Sequence, residues 1–247
     1  MAPYKINISY DGTDFYGYQR QLEKRTVQGE IESALRKIGW AERTIRSSGR
    51  TDAGVHADAQ VADFNLDWKH SKSDLKNAIN TYLPQDIAVI AIQQVMDKEF
   101  HPRFSARSRQ YRYQIYVNDH QLPILERYYW KIWPLPEISW MRSSAKILLG
   151  KHDFSRFGRP YESNGRTERM IYQVNWIKDQ KRPAKLFLKI EANSFLYHMV
   201  RRIAFVLIQA GQGKVGNEEI TNALNGIDSL PPGIAPAKGL FLEKINY

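Results

Sequence analysis

Apolar residues recur along the chain with two periods, and the switches between them lay out the elements. Tyr4, Ile6, Ile8 and Tyr10 alternate with polar neighbours, which predicts a strand over residues 4–10, turned by Asp11-Gly12. The period then lengthens: Val27, Ile31, Leu35 and Ile38 form a helical stripe, with Thr26 placed to cap it. Strands are predicted near residues 44–48 and 57–66. Ser73 is expected to cap a second helix with Leu75, Ala78, Ile79 and Tyr82 on one face, ended by Pro84. Residues 87–95 are dense in Ile and Val and predict a buried strand.

The same order of elements returns in the second half. Residues 110–117 set Tyr111, Tyr113, Ile115 and Val117 on one strand face. A helix is predicted from about residue 137 to 149, followed by paired strands at 169–178 and 185–192 around a polar turn that runs from Asp179 to Pro183. A helix carrying Met199, Ile203, Val206, Leu207 and Ala210 is stopped by Gly211 and Gly213, and a short helix over 218–224 and a last strand over 239–247 complete the chain. The pattern is β-α-β-β-α-β twice, with an extra element or two in the second half. It predicts an α+β fold whose sheets are covered by helices on one side.

Charge divides the chain where periodicity does not. Lys plus Arg exceed Asp plus Glu by 36 − 26 = +10. Residues 1–105 hold 14 basic and 14 acidic side chains, whereas residues 106–247 hold 22 and 12. These are the two expected domains. A basic half suits a polyanion, and an uncovered sheet face suits RNA; a solvated basic surface would carry the same charge. The 247 residues include no cysteine, which excludes a disulfide framework, a thiolate metal site and a cysteine nucleophile. The N-terminus has no apolar signal-like stretch and no long apolar run occurs, so a soluble cytoplasmic protein without membrane association is expected.

Three segments bear chemistry. In Ser47 to Val61, Gly49 and Gly54 bracket Arg50, Thr51 and Asp52, which puts a carboxylate on a tight turn between two strands. Asp52 there either caps the turn or does chemistry. His56 is a candidate base, or a packed strand histidine. In Phe104 to Asn118, Arg107, Arg109 and Arg112 interleave with Tyr111, Tyr113 and Tyr116, the residue types that hold phosphates and stack bases. Tyr111, at the mouth of the strand, is the better functional candidate of these. In the apolar helix after Asn193, Arg201 and Arg202 cannot both face the same way, so one turns inward and needs an acidic partner such as Asp52, or both snorkel to solvent. Arg156, Arg159, Arg166 and Arg169 flank a loop rich in Gly, Pro, Ser and Asn, which suits phosphate contact and equally suits an ordinary mobile surface loop.

Six segments, taken in order, are similar to one family: Tyr10 to Gln21, Gly49 to Ala57, Phe100 to Ala106, Tyr111 to Tyr113, His198 to Arg201 and Ala235 to Leu242. The chain resembles the bacterial tRNA pseudouridine synthase A family over nearly its whole length. The resemblance implies two similar halves with RNA-recognition-like antiparallel sheets joined into one large central sheet flanked by helices. It also implies a homodimer holding tRNA across both subunits, and isomerisation of uridine to pseudouridine at positions 38, 39 and 40 of the anticodon stem-loop. It carries the catalytic carboxylate to Asp52, the base-stacking aromatic to Tyr111, and substrate-binding roles in the cleft to Arg50 and Arg201. Tyr18 departs from the family pattern, which has tryptophan there. The reaction exchanges one bond for another with no redox step or energy donor. That agrees with a chain lacking nucleotide-binding and metal motifs, and no cofactor or metal is expected. A dry site disfavours an ionised carboxylate, and an arginine at ~4 Å returns about 4 kcal/mol at an effective dielectric of ~20. An arginine-supported Asp52 is therefore expected.

Overall fold

The computed structural model describes residues 1–162, 164–182, 184–227 and 230–247. The fold is α+β. Among the described residues the elements are β1 (Ala2–Tyr10), α1 (Val27–Lys37), β2 (Arg46–Ser47), β3 (His56–Leu66), α2 (Lys72–Tyr82), β4 (Ile87–Gln94), β5 (Ser108–Val117), β6 (Trp130–Ile132), α3 (Ile138–Ile147), β7 (Gly150–Asp153), β8 (Glu168–Lys178), β9 (Lys185–Ala192), α4 (Met199–Gly211), α5 (Asn217–Leu224) and β10 (Leu240–Asn246). The chain forms two compact units, Met1–Arg107 with Phe241–Tyr247, and Ser108–Leu240.

In the first unit β1 is antiparallel to β3, with Tyr4 opposite Phe64, and to β4, with Ile6 opposite Ile92. β2 adds antiparallel to β3 at Asp63. β10 lies parallel to β3, with Phe241 opposite His56. The period-2 pattern of β1 is realised: Tyr4, Ile6, Ile8 and Tyr10 are all buried, as are Val27, Ile31 and Leu35 of α1 and Leu75 and Ile79 of α2. Two expectations change. The cap of α2 is Ser71, whose hydroxyl accepts from the Asp74 N–H while the Asp74 carboxylate accepts from the Ser71 N–H. Of the two serines only Ser71 has an acidic residue three places on, as a capping box requires. β4 is an edge strand rather than a buried one: Ile87 and Val89 face the core while Ala88 and Ile90 face solvent. Tyr82, the last residue of α2, is also exposed.

In the second unit β9 lies between β5 and β8, antiparallel to both, with Tyr111 opposite Ile190 and Val174 opposite Ile190 across the two ladders. β7 extends β8, and β6 adds parallel to β5. α3 packs on α4, α5 and β8 over a core that includes Trp176, Met141, Leu188, Ile203 and Leu207. Alternation on β5 gives way near its end, where Tyr113, Gln114, Ile115 and Tyr116 are buried in succession. The hydroxyl of Tyr116 donates to Glu126, and Tyr113 faces Trp130 edge-on, so both strand faces are covered. The turn between β8 and β9 is capped by Asp179, which accepts from the N–H groups of Lys181 and Arg182; its predicted last residue, Pro183, lies outside the described residues. The predicted extra helix is α5, and β6 and β7 are short strands that periodicity did not predict. The predicted last strand, β10, pairs with β3 in the first unit, where Phe241 stacks on His56 with ring centroids 4.4 Å apart.

Candidate active site

Asp52 sits half-buried in the loop between β2 and β3 of the first unit, and the loop is pinned from several sides. At its start, Ser48 N–H donates to the Val61 carbonyl at 2.9 Å, and the buried Gln60 amide donates to the Gly49 carbonyl at 3.1 Å while accepting from the Ser48 hydroxyl. In the middle, the Tyr18 N–H donates to the Thr51 carbonyl and the Thr51 hydroxyl pairs with the Tyr10 hydroxyl at 2.8 Å. Burial above all pushes the Tyr10 phenol far up from its ordinary pKa, so it stays protonated and acts as a hydrogen-bonding post. At its end, the Gly54 N–H donates to the Phe15 carbonyl and the Val55 N–H to the Asp52 carbonyl. Gly54 takes φ +76°, which favours glycine; Gly49 does not, and a side chain there would meet open space.

The segment after β1 serves as the loop's floor. A Cβ on Gly12 would lie 1.9 Å from the Val55 carbonyl oxygen, so only glycine allows this backbone approach. Gly12 N–H donates to His56 Nδ1 at 3.0 Å, and that nitrogen is also 3.1 Å from Asp11 Oδ1. His56 is 1 % exposed and stacked on Phe241, so it is a structural strut rather than an accessible base. Tyr18 is fully buried, which explains how it can stand where the family pattern has tryptophan: the position needs an aromatic body and a backbone N–H. The segment is stapled back by Arg25, which donates to both oxygens of Asp86 at 2.8 and 2.9 Å and lies 4.1 Å over the Phe15 ring. Gln60, Tyr10, Thr51 and Gly12 were not singled out as site residues by sequence. Their signal was faint: a lone glutamine inside the apolar β3 run, and a tyrosine closing β1.

Arg50 shares the loop with Asp52 and is exposed. Tyr111 and Arg201 belong to the second unit, on β5 and α4. Tyr111 is half-buried and meets Phe195 edge-on, centroids 5.2 Å apart and planes at 88°. Both helix arginines are half-buried and both bond the segment from Leu230 to Ala235. Arg201 Nε donates to the Ala235 carbonyl at 2.8 Å, and Ala235 N–H returns a bond to the Arg201 carbonyl at 3.2 Å. Arg202 donates to the carbonyls of Gly233 at 2.6 Å and Leu230 at 3.1 Å. The Tyr113 hydroxyl donates to Pro236; burial raises its pKa, and the nearby positive charge of Arg201 opposes that rise. No group of three or more His, Asp or Glu side chains is arranged to hold a metal ion among the described residues. No helix there is long and apolar enough to cross a membrane.

A family model described as tRNA pseudouridine synthase matches residues 6–105 and 144–247. The chain belongs to the tRNA pseudouridine synthase family, whose members are isomerases that convert uridine to pseudouridine. Relatives named tRNA pseudouridine synthase A match along the full length of both chains: 38% identity in Thermoanaerobacter sp. (strain X514), 39% in Fervidobacterium nodosum and 38% in Clostridium botulinum (strain Alaska E43 / Type E3). They extend the assignment to the synthase A branch. Among solved structures, a chain of "Crystal Structure of a Cbf5-Nop10-Gar1 Complex" overlays at a TM-score of 0.32 with 11% identity, covering 81% of this chain and 53% of that one, a likeness too weak to add anything.

Proposed function

We propose that this protein isomerises uridine to pseudouridine at positions 38, 39 and 40 of the tRNA anticodon stem-loop, with Asp52 as the catalytic carboxylate acting on a uridine drawn out of its stack. Pseudouridine synthesis on tRNA is the activity of the family to which the chain belongs. The observation that carries the assignment to Asp52 is its loop, whose two ends and centre are tied down by Gln60, Tyr10, Tyr18 and Phe15 around one half-buried carboxylate. Such pinning keeps a reacting group within the narrow geometry that catalysis needs.

The chemistry breaks the bond from ribose C1′ to N1 and forms one from C1′ to C5. A hydrogen leaves C5 and N1 gains one, so the formula is unchanged and no donor enters. An ionised carboxylate beside ribose and base serves the bond-breaking step. Arg50, on the same loop, supplies positive charge to the carboxylate, and Arg50 and Arg201 bind the substrate. Tyr111, steadied edge-on by Phe195, stacks the extruded base. One stacked base returns roughly 1–3 kcal/mol against an extrusion cost of a few kcal/mol. The same proposal includes a cytoplasmic homodimer working without metal or cofactor. It also treats the two units as related RNA-recognition-like halves, supported by the β-α-β-β-α-β order of the first.

The test is tritium release from tRNA labelled at uridine C5, with the product mapped by position. Wild-type protein should release tritium and place pseudouridine at 38, 39 or 40. Asp52→Asn should release none while binding tRNA within about threefold of wild type; equal loss of both would return Asp52 to a structural role. Tyr111→Phe should keep activity that Tyr111→Ala loses, because stacking needs the ring and not the hydroxyl.

A further inference from the structure

A second aromatic group lies within Ser108–Leu240, away from Tyr111 in sequence and unused by the chemistry above. Tyr197 lies face to face with His198, ring centroids 3.7 Å apart and planes at 25°. Tyr161 meets Tyr197 at 6.1 Å and 62°. Tyr161 is 50% exposed and Tyr197 40%, so the rings are arranged on one another at the surface and not sunk into the core. The backbone beneath them is fixed. Arg159 and Tyr197 exchange both backbone hydrogen bonds, at 3.2 and 2.9 Å. A Cβ on Gly158 would come within 2.8 Å of the Tyr197 carbonyl oxygen, so the two segments touch main chain to main chain. His198 is held at φ +65°, an uncommon conformation for a residue with a side chain, which persists only where the surroundings fix it.

The surroundings are basic. Residues 154–169 contain Arg156, Arg159, Arg166 and Arg169 against Glu162 and Glu168, and Glu168 is paired with Lys151 at 3.0 Å. Arg156, which also sits near the Asp153 carboxylate, donates to the Gly226 carbonyl, and Arg169 donates to the Arg166 carbonyl. Exposed aromatic faces beside arginines are complementary to single-stranded nucleic acid: rings take the base, cations take the phosphates.

We propose that Tyr161, Tyr197 and His198 form a stacking platform for an unpaired base of the RNA substrate, flanked by Arg159 and Arg166 as phosphate contacts. The platform rests on RNA being the substrate, as proposed above. It adds affinity and not choice of uridine, because every base offers a face to stack.

The experiment uses the full-length chain and an unmodified tRNA transcript, measuring Kd at several salt concentrations together with KM and kcat. Tyr197→Leu should raise Kd about tenfold, with the loss carried in KM more than in kcat, and should leave the salt dependence of Kd unaltered. Tyr197→Phe should bind like wild type. Arg159→Gln should lower the slope of log Kd against log salt by about one. Because Tyr197→Leu could unfold the region, Tyr161→Ala at a half-exposed position serves as the second variant and should weaken binding severalfold with unchanged thermal unfolding. Wild-type affinity in folded Tyr161→Ala and Tyr197→Leu proteins overturns the platform. Weakened tRNA binding in these variants from a wild-type protein that makes no pseudouridine would keep the platform and remove the enzymatic assignment; the opposite combination would do the reverse.

Discussion

The two units treat their arginines differently. In Met1–Arg107 three guanidinium groups meet carboxylates: Arg20 with Glu32 at 2.7 Å, Arg25 with Asp86 at 2.8 Å, and Arg46 with Asp63 at 2.9 Å. In Ser108–Leu240, Arg142 donates to the Trp176 carbonyl and Arg202 to the carbonyls of Gly233 and Leu230. A carboxylate satisfies the donors and cancels the charge, whereas a carbonyl satisfies the donors and leaves it. Arg142 and Arg202 are thus held in place while keeping their charge, which adds to a field suited to a polyanion.

The largest effect tests that division within the first unit. Asp52→Asn should lower pseudouridine formation on the order of 10⁴-fold with little change in thermal unfolding, as befits a carboxylate that reacts and does not brace. Glu32→Ala should do the opposite. Glu32 is fully buried and accepts from Arg20, Gln28, Thr44 and the Ile45 N–H, so its loss strands donors on three sides. We expect about 3 kcal/mol less stability, seen as a drop in Tm of roughly 6–12 °C. An unaltered Tm would mean that water replaces the carboxylate and that unit 1 does not depend on its ion pairs.

In the second unit Arg202→Met should cost about 2 kcal/mol, measured by urea unfolding, because two carbonyls lose a charged donor. The sharpest comparison is of salt slopes. Arg166→Gln should lower the slope of log Kd for tRNA by about one, while Arg25→Gln, whose charge Asp86 already neutralises, should leave it unchanged. Equal slopes in the two variants would dissolve the contrast between the units. The smallest effect is a pH dependence. Lys238 above all, then Tyr116, holds the Glu126 carboxyl below its ordinary range. A lowered folded-state pKa contributes stability that is complete above the ordinary carboxylate range and is lost as pH falls through the lowered value. Both side chains are partly exposed, so the loss should stay under about 1 kcal/mol. Glu126→Gln should flatten that part of an acid titration of unfolding midpoint between about pH 6 and pH 3.

Sequence by itself determined most element positions, because periodicity is local: the alternation of Tyr4, Ile6, Ile8 and Tyr10 and the stripe of Val27, Ile31 and Leu35 need no distant partner to be read. It also identified the family and pointed to Asp52, through six short segments whose order is written in the chain. It did not decide partners. Whether Ser71 or Ser73 caps a helix, whether the strand at 87–95 is central or at an edge, and which strand receives β10 depend on what packs alongside. His56 looked like a possible base until the fold buried it between Gly12 and Phe241. The posts that hold the Asp52 loop come from residues as many as 41 positions away, as between Tyr10 and Thr51, and a distant hydroxyl or amide leaves no trace in local pattern. The same holds for Tyr161 and Tyr197, ordinary surface tyrosines in the sequence, which only the backbone bridge at Arg159 brings ring to ring. Hydrophobic period is a property of neighbours along the chain; the pairing of polar groups is a property of chain topology, and so only the tertiary structure could supply it.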